Sequence, residues 1–121
     1  MSEYLRTLQR DNIPIEMVYE ALRSPNHLVQ ANALIGLGKR LRNFPEFRTN
    51  DWIDKLDVII NSPTAWREIF GNIICVYHLC LWCIYEIGTE EANAYFHSHY
   101  DNLDDFDKNN LNRNIAEFRK M

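Results

Sequence analysis

Residues 24–38 read Ser-Pro-Asn-His-Leu-Val-Gln-Ala-Asn-Ala-Leu-Ile-Gly-Leu-Gly, and the fold turns on how this stretch is understood. Ser24-Pro25 has the form of a helix cap followed by proline at the first helical position, where a missing N–H costs nothing. Beyond it, Leu28, Ala31, Leu34, Ile35, Leu37 and Leu41 recur at helical spacing. Immediately upstream, Ile15, Val18, Tyr19 and Leu22 mark one face of another helix, with Pro14 in its first turn. Two helices with almost no loop between them must fold back as an antiparallel hairpin. Gly36 and Gly38 admit two readings. Inside the helix each costs about 1 kcal/mol relative to alanine, which close approach of a neighbouring helix would offset. Alternatively they mark its end, with Lys39 to Asn43 as loop.

The same grammar returns downstream. Trp52, Ile53, Leu56, Ile59 and Ile60 mark a helix ending near Asn61, and Ser62-Pro63 follows, so a long helical run is expected from there towards Gly88. Pro25 and Pro63 lie 38 residues apart, and the same step again reaches Asp101. Before that point Glu90 to Tyr100 suits a helix, with Thr89 as its cap and two glutamates in the first turn. After it, Asp104-Asp105 looks like a cap and Leu111, Ile115 and Phe118 form a last apolar stripe. Residues 2–9 add a possible short leading helix with Tyr4, Leu5 and Leu8. A helix-pair period repeated three times implies an all-α, short right-handed α-solenoid of about three antiparallel pairs, filling residues 1–121 as one domain. The middle pair, covered on both sides, should be the most apolar, and Ile73 to Tyr85 has only His78 as a polar interruption.

Residues 24–38 resemble the second helix of a HEAT repeat. Val29, Ala31, Ala33, Leu34 and Gly36 follow that family's pattern, while Gln30 stands where the family commonly has arginine. Residues 62–79 keep the Ser-Pro start and the apolar rhythm, and the third pair keeps only the spacing. The resemblance implies a protein-binding scaffold without built-in chemistry.

Composition bounds the function. Among 121 residues, 46% are hydrophobic and 25% charged, and the net charge is −4. Residues 1–60 hold eight basic and eight acidic side chains, whereas residues 61–121 hold five and nine. An acidic second half disfavours a nucleic-acid backbone as target and favours a basic protein. Lys39, Arg40, Arg42 and Arg48 form a basic cluster that could meet phosphate, but cations also suit a helix end. The three cysteines and the polar N-terminus imply neither a disulfide framework nor a secretory signal, and hence a cytoplasmic chain. Ile69 to Ile87 is apolar enough to check as a membrane span, yet Gly71, Asn72 and His78 interrupt it, so a buried central helix is expected.

Motifs for chemistry are weak. Cys75, Cys80 and Cys83 have an iron–sulfur-like spacing but no fourth cysteine, and on a helix Cys75 and Cys80 diverge by about 140°. His97 and His99 diverge by about 200° on a helix, so they converge on a metal only from a strand or loop. Asp105, Asp107 and Asn109 open like a calcium loop, but Asn110 and Ala116 stand where glycine and glutamate are needed. No serine elbow, phosphate-cradling glycine loop or zinc-protease motif occurs. No catalytic residue, metal or cofactor is therefore expected. The expected partner surface comprises Glu86, Glu90, Glu91, Tyr95, Asp101, Asp104, Asp105 and Asp107. Small size, this acidity and the nearby aromatic residues Tyr85, Tyr95, Phe96, Tyr100 and Phe106 are similar to bacterial immunity proteins. The similarity implies an inhibitor that covers the basic active site of a toxin nuclease. The alternatives are an adaptor subunit that meets its partner through an apolar face, or a HEAT-like nucleic-acid binder.

Overall fold

A computed structural model of the chain describes residues 2–69 and 74–121. Those residues are mostly helical: α1 (Glu3–Leu8), α2 (Ile15–Leu22), α3 (His27–Asn43), a 3₁₀ turn (Pro45–Phe47), α4 (Asp51–Ile60), a short ribbon of β1 (Glu68–Ile69) and β2 (Ile74–Cys75), α5 (Val76–Ile87), α6 (Glu90–Tyr100) and α7 (Asp105–Phe118). None of the described helices is long and apolar enough to cross a membrane.

The helix starts follow from side chains that satisfy the free N–H groups of the first turn. Ser2 accepts from Leu5 N at 3.2 Å, Thr89 from Ala92 N at 3.1 Å and Asp104 from Asp107 N at 2.8 Å. At α3 the cap differs from the expected Ser24-Pro25. Asn26 accepts from Leu28 N and Val29 N, and Ser24 Oγ accepts from Asn26 N, so the helix opens at His27. Pro14 likewise precedes α2 as its cap residue. At the far end of α5, Gly88 takes a left-handed conformation with φ of 69°, which a side chain would strain.

The run expected to be helical from Ser62 begins differently. Residues 62–67 form turns, Glu68 pairs with Cys75 and Ile69 with Ile74 in an antiparallel ribbon, and α5 starts only at Val76. Ile69, Ile73 and Ile74 are β-branched, and Gly71-Asn72 between them is a turn-prone pair. At the paired positions Ile69 and Ile74 the β-branched side chains outweigh the helical rhythm. Residues 70–73 lie outside the described residues, including the start of the apolar run at Ile73. Tyr77 N donates to Ala65 O at 2.8 Å and ties the turn to the start of α5.

Packing centres on α5, which is buried along its whole length except at Tyr85. It touches α3 most extensively and also α4, α6 and α7, while α3 carries α1 and α2 on its other side. Both glycines of α3 lie well inside the helix, at close approaches. A Cβ on Gly38 would stand 2.2 Å from the ring of the fully buried Trp82, and one on Gly36 would stand 2.1 Å from the Leu8 carbonyl oxygen. Their small size lets α5 and α1 seat against α3, and Lys39 to Asn43 continue the helix. Arg40 is buried beside them and donates to Asp11 O at 2.9 Å and to Ile13 O. It thus supplies donors to the carbonyls of the α1–α2 connection.

Candidate partner-binding surface

The corner between α6 and α7 gathers four of the eight residues expected to bind a partner. Asp101 ends α6, Asp104 caps α7, and Asp105 and Asp107 occupy its first turn, where carboxylates also suit the helix dipole. Asp101, Asp104 and Asp105 are exposed and Asp107 is half-buried. Desolvation, followed by the charge of Asp104, raises the Asp107 carboxyl above its usual range. Phe106 stands between Asp105 and Asp107 with 65% of its surface exposed. Lys108 Nζ lies 5.5 Å from the centre of the Tyr100 ring.

The other four sit elsewhere. Glu90 and Glu91 are exposed in the first turn of α6, at the opposite end of an 11-residue helix from Asp101. That length separates them from the corner by about 15 Å. They lie beside Asn50, whose side chain accepts from Thr89 Oγ1 at 2.6 Å. Glu86 faces inward: it is 7% exposed, accepts from Trp82 Nε1 at 2.8 Å and pairs with Arg119 at 3.1 Å. It is a core anchor and has no place on an exposed surface. Tyr95 is half-buried and donates to Asp57 at 2.5 Å. Burial, then the bond to Asp57, pushes its phenol well above the usual range.

The groups with weak metal or phosphate signatures are drawn into the framework. Cys75, Cys80 and Cys83 are free and buried. Desolvation pushes the Cys75 thiol up to about 11 and raises the other two as well, so all three stay protonated and poorly suited to a metal. Cys83 Sγ donates to Leu34 O at 3.3 Å. His97 points towards Asp101 at 3.8 Å, whereas His99 Nδ1 meets Tyr77 OH at 2.9 Å, so the two imidazoles diverge. Among the described residues no three of His, Cys, Asp and Glu come together as a metal cluster. Within the basic cluster, Arg40 is buried as above, Arg42 donates to Arg119 O and Met121 O, and Arg48 donates to Leu41 O and Arg42 O. Three of its four cations thus bind backbone carbonyls, mostly at helix ends, which leaves little for a phosphate backbone.

One further surface carries no sequence motif. Between α2 and α4 runs a groove of about 480 Å³ lined by the apolar Tyr19, Leu22, Val58 and Ile59, the polar Gln30 and Ser62, and the cations Arg23 and Lys55. Its signal in the sequence is Val58, an apolar residue that the stripe of α4 does not require, and it is 74% exposed. Comparison with known protein families, curated proteins and solved structures found no match for the chain.

Proposed function

We propose that this chain is a protein-binding module without catalytic activity, and that the α6–α7 corner is the surface that engages a basic partner. The observation that carries this reading is Phe106. A large aromatic side chain left mostly exposed between two carboxylates has the make-up of an interface anchor, with apolar area in the middle and charge to steer and orient the partner. The narrower reading is an immunity-type inhibitor that sets this corner against the basic active site of a toxin nuclease. The division of the acidic residues into two groups supports a compact contact at the corner over one that spans all of α6.

A stacked arrangement of three helix pairs, α2–α3, α4–α5 and α6–α7, as a short right-handed HEAT-like solenoid is proposed with it. In its favour, α3, α5 and α7 follow one another in contact. The Tyr19 and Trp52 rings, 5.5 Å apart, join α2 to α4, and Tyr95 to Asp57 joins α6 to α4. Repeat stacking of this kind places ends and corners of helices in reach of a partner.

Tagged protein used to capture partners from a lysate of the source organism, at low and moderate salt, tests the function. The expected result is one basic protein, held less tightly at higher salt. It should be lost with Phe106→Ala and also when Asp101, Asp104, Asp105 and Asp107 become asparagine, a change that keeps the Asp104 cap functional. A partner retained by both variants, each shown to be folded by circular dichroism, would overturn the assignment of the corner.

A further inference from the structure

The groove between α2 and α4 has the opposite character to the corner. Tyr19, Leu22, Val58 and Ile59 make its lining mainly apolar, with Gln30 and Ser62 beside them, and its two cations, Arg23 and Lys55, form no ion pair with any described residue. Lys55 instead lies over the Tyr19 ring, 5.0 Å from its centre. At about 480 Å³ the groove can take one large side chain with its flanking backbone. A slot of this make-up fits an apolar anchor that carries a carboxylate on either side, because the anchor meets the apolar lining while each acid meets a cation.

The chain itself presents such an element in Asp105-Phe106-Asp107. Helix α7 packs on α5, and none of its residues lines the groove, so the element and the groove are separate patches of one molecule. We propose that the groove receives the Phe106 corner of a second copy of this chain, so that the protein associates with itself head to tail. The proposal rests on reading that corner as a binding surface, and it names the groove of a second copy as one basic surface the corner recognises. Corner and groove differ, so the contact is heterologous and builds a ring if its rotation closes, or an open chain if it does not. One aromatic anchor and two acid–cation pairs make a small interface, so association is weak, concentration-dependent and weakened by salt.

Sedimentation equilibrium of the full chain from micromolar to millimolar concentration reads this directly. The average mass should rise with concentration at low salt and fall back at high salt. Phe106→Ala alone, and Arg23→Glu with Lys55→Glu, should each hold the protein at monomer mass. Asp105→Lys with Asp107→Lys should do the same. Mixing this last variant with the groove variant should restore association, because every corner then meets a groove of opposite charge. A wild-type chain that stays monomeric at millimolar concentration overturns the proposal, as does a mixture of folded charge variants that does not associate. If the chain is monomeric but Phe106→Ala still abolishes capture of a basic protein, self-association falls and the corner stands. If capture also survives Phe106→Ala, both fall.

Discussion

His78 shows how one buried side chain sets a property of the whole chain. It is 2% exposed in α5, with Trp66 edge-on to its ring and Asn114 of α7 bonded to its Nδ1 at 2.9 Å, while Nε2 has no hydrogen-bond partner among the described residues. Desolvation lowers its pKa to about 4. An unfolded histidine titrates near 6.5, so between those values the unfolded chain binds a proton that the folded chain refuses. Stability from this residue is therefore complete above pH 6.5 and is lost as pH falls towards 4, by up to about 3 kcal/mol. Urea denaturation at pH 7 and pH 5 should show a drop that His78→Gln flattens; equal drops in both proteins would assign it to other groups. Gly36 is the steric counterpart. A methyl group there meets backbone, which has no rotamer to move, so Gly36→Ala should destabilise by about 3 kcal/mol despite alanine's better helix propensity. An unchanged urea midpoint would mean that α1 does not dock on α3 as described. Both effects were half-legible: the sequence marks His78 as the polar interruption and the glycines as anomalous, but only the neighbouring helices say what each one meets.

At the scale of elements, the starts of α6 and α7 were readable because their caps are local, whereas at α3 the equally local Asn26 stands in place of the expected Ser24. Thr89 and Asp104 each lie three residues before the N–H they satisfy, so nothing distant decides the bond. Asp104→Ala should accordingly cost about 1 kcal/mol, seen as an earlier thermal transition, with Asp104→Asn close to wild type. Equal loss in both variants would point to the negative charge instead of the cap. Helix rhythm failed between Ser62 and Val76. Apart from Ala65, Ile69, Cys75 and Val76, the described residues of that stretch are exposed or half-buried, so no buried stripe marks a helix there, and the β-branched Ile69 and Ile74 are the better guide to the ribbon. Of the expected acidic surface, Asp101, Asp104, Asp105 and Asp107 share the α6–α7 corner, whereas Glu86 serves Trp82 and Arg119.

For the molecule as a whole, α5 is shared by four other helices and α3 by three, so no helix pair has a core of its own. The described structure should therefore unfold in one cooperative step. Near-ultraviolet signal from Trp82 and its neighbours and far-ultraviolet helix signal should follow the same denaturant curve. Separate transitions would show that one end melts independently, as a loosely coupled repeat array would. The same shared core explains the charge layout. Buried positions take up Arg40 and Glu86, leaving an acidic corner at one end and a cation-bearing groove between α2 and α4.

The sequence by itself determined what depends on neighbours along the chain: helical class, most helix limits, the caps at Thr89 and Asp104, the buried character of α5 and the acidity of the α6–α7 corner. Tertiary structure alone decided which polar groups remain available. Glu86, Tyr95, Arg40 and Arg42 look like surface groups in the sequence, and each is claimed by a carbonyl or charge supplied by a distant segment. The groove is tertiary for the same reason, since Tyr19 and Val58 line it together only when α2 and α4 are laid side by side. Burial and hydrogen bonding across long sequence separations are properties of the packed chain, and no local pattern encodes which of two similar side chains will be enclosed.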